Sequence, residues 1–87
     1  MEKEYKLKNP IQFGSEIIEV LKFREPKAKD FRDMPMEPKI GDMLNIAAKI
    51  SSNPPSKIDQ LSAEDMKEVL KIVGEFMGDG QPIGDQP

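Results

Sequence analysis

Cysteine and histidine are both missing from this 87-residue sequence. Without cysteine there is no disulfide framework, no thiolate-ligated zinc and no thiol nucleophile. Without histidine the commonest general base and the commonest metal ligand are gone. Long apolar runs are missing too. The longest is Ile46-Ala47-Ala48, far short of the ~18 residues needed to span a bilayer. The opening Met1-Glu2-Lys3-Glu4-Tyr5 has no apolar run behind it to act as a signal peptide. An excess of positive charge is also lacking. A net charge of −3 and a pI near 4.9 do not supply the basic footprint of a nucleic-acid binder, on the order of pI > 9. The expectation is a cytoplasmic protein that crosses no membrane, binds no nucleic acid, holds no metal or cofactor and catalyses nothing.

What is present suffices for one small domain. Leu, Ile, Val and Phe make up 21 of the 87 residues, about 24%, above the ~20% below which disorder becomes the default. A chain this short buries only about 60–65% of the surface its unfolded form exposes, so the core is marginal. Residues 4–8 alternate, with Tyr5 and Leu7 on one face, and read as a half-buried strand that Asn9-Pro10 ends. Gly14 marks a turn. Residues 16–24 are β-branched and aromatic and read as the second strand of a hairpin. In that strand Ile17, Leu21 and Phe23 share one parity while Ile18 and Val20 share the other. Three readings stand. A bulge switches the parity partway, or edge residues pack under the linker, or the second apolar face meets another protein.

Three helices follow. Pro26 suits the first position of a short helix running from Lys27 to Met34, which Pro35 and Pro38 break. Between Pro38 and Ser52, Ile40, Met43, Leu44, Ala47 and Ile50 form one helical stripe. Asn53-Pro54-Pro55-Ser56 stops it, and Ile58 and Leu61 pin the next loop. Ser62-Ala63-Glu64-Asp65 has the form of a capping box, with Asp for the preferred Glu. Behind it Met66, Val69, Leu70, Val73, Phe76 and Met77 define a final amphipathic helix, with Gly78 as its natural C-cap. The fold expected is α+β: an N-terminal β-hairpin and three helices (ββααα), one domain over residues 1–78 and a disordered tail over 79–87.

No constellation of catalytic residues stands out. The pairs Glu64/Asp65 and Asp30/Asp33 read as helix-start acids that favour the dipole. The basic residues Lys22, Arg24, Lys27, Lys29 and Arg32 are diluted by Glu25, Asp30 and Asp33 and read as a solvated face, with an acidic partner as the alternative. Six methionines are many for this length. Methionine fills irregular cores, and it also lines adaptable helix-binding surfaces. With the two-faced strand, this makes Ile18, Val20, Met43, Met66 and Met77 the candidate partner-binding residues.

The ordered set of residues resembles a known family. It reads Leu7-x-x-Pro10-Ile11-x-x-Gly14, then Ile18-x-x-Leu21-x-Phe23-Arg24-x-Pro26, then Asp30-Phe31-Arg32. Ala48-x-Ile50-Ser51, Ile58-x-x-Leu61 and Asp65-x-x-x-Val69-Leu70-x-x-Val73-x-x-Phe76 complete it. Over about residues 5–78 the chain is similar to the small tail assembly chaperones of contractile-tailed temperate bacteriophages and prophages. The resemblance implies a non-catalytic protein of the host cytoplasm. Such a protein binds the long tape-measure protein and keeps it soluble until tail-tube subunits polymerise around it. It further implies contact with the tail-tube protein and a longer, frameshifted form of the same chain. The marginal core adds the expectation of a homodimer. The rival reading is a small acidic regulatory or antitoxin-like binding protein, or a minor structural component of the tail.

Overall fold

The structure, a computed structural model, describes residues 2–77. Strands β1 (Lys3–Phe13) and β2 (Glu16–Phe23) form an antiparallel hairpin. The turn between them has Gly14 at its first central position with φ +67°, where a type II′ hairpin turn takes glycine. From the turn outward Phe13 pairs with Glu16, Gln12 with Ile17 and Ile11 with Ile18. Pairing then resumes at Lys6 with Val20 and runs to Lys3 with Phe23. Between these stretches Leu7, Lys8, Asn9 and Pro10 face Glu19 alone, a bulge of three extra residues on β1.

That odd excess decides which side chains are buried. Directly opposed residues share a face, so an odd slip in register inverts the inward parity of one strand relative to the other. On β1 the inward residues Tyr5, Leu7, Ile11 and Phe13 keep one parity. On β2 Leu21 and Phe23 point inward, but nearer the turn it is Ile18 that enters the core, leaving Ile17 outside. The bulge therefore accounts for the two-sided look of this strand. It also explains why Asn9-Pro10 does not end β1. A residue without an N–H is tolerated where no ladder bond is asked of it.

Four helical segments follow: α1 (Ala28–Phe31), α2 (Ile40–Ser51), α3 (Pro55–Ile58) and α4 (Ala63–Phe76). The expected α+β order holds, with one addition. Pro55, at the first helical position, opens the single turn α3, which carries Ile58 into the core. α1 is shorter than its sequence pattern, because Pro35 lies just beyond it. α2 ends at Ser52, which takes the left-handed conformation (φ 58°, ψ 39°). There the Ser52 N–H donates to the Lys49 carbonyl and the Asn53 N–H to that of Ala48, the Schellman pattern. Gly78 and the expected tail 79–87 lie outside the described residues.

α2 packs beneath β2 and against α4, and α4 lies along β1. Phe23, Leu21, Ile46, Ile50, Val69 and Val73 are fully buried where these elements meet. Each such side chain contributes about 1.5–3 kcal/mol relative to its exposed state. The Arg24 N–H donates to the Ile50 carbonyl at 2.9 Å and ties the end of β2 to the end of α2.

Candidate partner-binding surface

The bulge frees backbone groups that the ladder no longer satisfies, and a single side chain takes them. The Asp65 carboxylate, fully buried at the start of α4, accepts from the N–H of Lys8 (2.9 Å) and of Asn9 (2.9 Å) and from the Tyr5 hydroxyl (2.7 Å). Ser62 Oγ donates to it at 3.2 Å and accepts from the Asp65 N–H and from Asn9 Nδ2. Burial pushes the Asp65 carboxyl up, but the donors outweigh it and hold the group below its ordinary value. The same contact, with burial, pushes the Tyr5 phenol up to about 12. Only the Ser62 half of the expected capping box forms. The carboxylate of Asp65 turns instead to the hairpin and fixes its angle to the helices.

A second buried aspartate orders the linker. Arg24 donates two bonds of 2.9 Å to Asp30, a bidentate pair, and the Lys27 N–H donates a third at 2.8 Å. The guanidinium is the main reason Asp30 sits at about 2, against the opposing effect of its burial. Asp42 repeats the backbone contact in α2, accepting from the Lys39 N–H at 2.8 Å. Asp30, Asp33, Met34, Asp42 and Lys49 border a cavity of about 220 Å³. The carboxylates of Asp30 and Asp42 are already engaged there. Among the described residues no cluster of acidic side chains is arranged to hold a metal ion.

With these groups committed to the fold, the exposed apolar side chains define what a partner can reach. Ile17 (62% exposed) and Val20 (40%) lie on the outer face of the hairpin, away from the helices. Met36 (93%) and Ile40 are exposed in the linker and at the start of α2. The five candidates do not share one surface. Val20 is on the outer sheet face, while Ile18 is buried in the core. Met43 and Met77 are half-buried against the core, and Met66 is half-buried on α4. Met66 and Met77 sit eleven residues apart along α4 and its cap, about 16 Å. Ile17 is absent from the candidates because its parity pointed inward. Only the bulge count, which needs the register, brings it out.

A hairpin braced on two helices, with its buried charges spent on positioning and an apolar pair left outside, has the features of a small binding module. The chain belongs to the family described as phage tail assembly chaperone proteins, E, or 41 or 14, whose model matches residues 4–78. No curated protein and no solved structure matches the chain. Among the described residues no helix is long and apolar enough to cross a membrane.

Proposed function

We propose that this protein is a non-catalytic tail assembly chaperone that binds the tape-measure protein in the host cytoplasm and keeps it soluble while the tail is built. Membership of the family is the observation that carries the reading. The exposed pair Ile17 and Val20 supports it. A long helix with one apolar side can lie across this outer face, screened from other partners by the charges of Lys6, Glu19 and Lys22.

The energetics suit a holdase. Ile17 is 62% and Val20 40% exposed, so burying what remains of them yields about 1.5–3 kcal/mol before ordering costs, weaker than a millimolar contact. One copy binds weakly and leaves readily, and many copies along a long chain keep it covered. Ile18 acts from below by holding the strand that carries Val20. The binding module spans residues 1–78. Its further partners are the tail-tube protein, a longer frameshifted form and a second copy of the chain.

Co-expression with a tape-measure segment tests the reading. The segment is expected to stay soluble and to co-purify with this chain. A segment that remains in the pellet and never co-purifies overturns it. Aspartate at Ile17 or Val20 probes the surface. At Ile18 it would instead bury a charge and unfold the domain.

A further inference from the structure

The two edges of the hairpin are treated differently. β1 is a poor template for a further strand: Pro10 has no N–H, and Asp65 of α4 takes the N–H groups of Lys8 and Asn9 in the bulge. Glu16–Phe23 contains no proline. Among the described residues no hydrogen bond reaches its backbone from outside the hairpin. An eight-residue, β-branched strand open along one edge is a template for another strand.

The parity switch selects which strand fits. Along β2, Ile18 and Leu21 point inward, while Ile17, Glu19, Val20 and Lys22 are exposed. A strand with uninterrupted alternation matches this order on one side of Glu19-Val20 and meets it inverted on the other. β1 resolves the mismatch with its three extra residues. A second β2, run antiparallel with Glu19 opposite the second copy's Val20, needs none, because the in-and-out order from Ile17 to Lys22 reads the same from both ends. Ile18 then faces the second copy's Leu21 on the core side, and Ile17 faces its Lys22 on the outer side. A slip of one or two residues in either direction sets an inward residue against an outward one. In the matched register Glu19 lies diagonal to the second copy's Lys22, twice by symmetry, an opposite-charge contact within reach of long side chains.

We infer that the open edge of β2 is the docking site for a second copy of this chain, giving a four-stranded antiparallel sheet with β2 and its symmetry mate at the centre. The inference rests on the self-association in the proposed function and gives it a surface and a register. The pairing also brings two Ile17–Val20 pairs onto one outer sheet face, beside the Glu19 and Lys22 of each copy.

The chain has no cysteine, so introduced thiols report without background. Ile17→Cys and Lys22→Cys are made separately, and both positions are exposed. In the matched register each is opposite the other. Each is five residues, roughly 17 Å, from its own counterpart, beyond the ~6.8 Å that a disulfide spans between Cα atoms. The expected result is a wild-type dimer by sedimentation. On oxidation, a mixture of the two variants should give about tenfold more cross-linked dimer than either alone. A monomer at every concentration up to about 100 µM, or a mixture that cross-links no better than the single variants, overturns the inference. Both measurements omit the tape-measure segment. A failed co-expression therefore leaves this result standing, and a monomer leaves the co-expression result standing.

Discussion

Asp65 accepts from Tyr5, Lys8, Asn9 and Ser62 with no solvent contact. Replacing it with alanine leaves the part-buried N–H groups of Lys8 and Asn9 and the Tyr5 hydroxyl without their acceptor. Losing hydrogen bonds to a charged acceptor costs about 1.5–3 kcal/mol, against a total of about 4–11 kcal/mol for a domain of this size. Urea unfolding of Asp65→Ala is expected to show a loss in that range, and a loss under 1 kcal/mol contradicts the assignment. The chain has one tyrosine and no tryptophan, so tyrosinate absorbance reads Tyr5 alone. It should titrate near 12 in the folded protein and fall toward 10 in Asp65→Ala. Acid tests the same groups with the opposite sign. Asp30 and Asp65 are held below their ordinary value of 3.8. Their contribution is therefore complete above about pH 4 and fades as pH falls, for Asp30 through about 2. Asp30 alone accounts for about 2 kcal/mol. Stability measured at pH 7 and again near pH 2 should differ by at least that amount, and a flat profile contradicts it.

Among the elements, the β1 bulge has the widest consequences. Its Lys8 and Asn9 amides have left the ladder and would exchange freely with solvent but for Asp65. Hydrogen exchange should find both protected in the native protein and unprotected in Asp65→Ala, whereas fast exchange in both proteins would contradict the contact. The bulge also marks the limit of what the sequence made legible. The stripe of Met66, Val69, Val73 and Met77 shows α4 directly, because helical periodicity is a local property. The Asn53-Pro54-Pro55 breaker hid the one-turn α3, since a proline that stops one helix can open the next. Asn9-Pro10 looked like a strand end because the group that supports the bulge lies on α4, 56 residues away for Asn9. The Ile17–Ile18 exchange followed from that, because inward parity is set by register and register is a pairing of distant residues. Arg24, Asp30 and Asp65 all belong to the pattern that carried the family resemblance. Their roles as clamps on the linker and the hairpin emerged only with the fold.

For the whole molecule, the tension between a marginal core and a binding role is resolved by a division of labour. The stripes of α2 and α4 pack under the hairpin, with Ile46, Ala47, Ile50, Val69 and Val73 buried. The outer face of the hairpin, with Ile17 and Val20, remains outside. The core need not open for a partner to bind, and the double aspartate variant at Ile17 and Val20 separates binding from folding. The most direct measurement of the account is the soluble fraction of a co-expressed tape-measure segment, compared between wild type and this double variant, with each chain's fold checked by circular dichroism. The account predicts a soluble segment with wild type and a largely insoluble one with an equally folded double variant. An insoluble segment with both, or an equally soluble one with both, would contradict it.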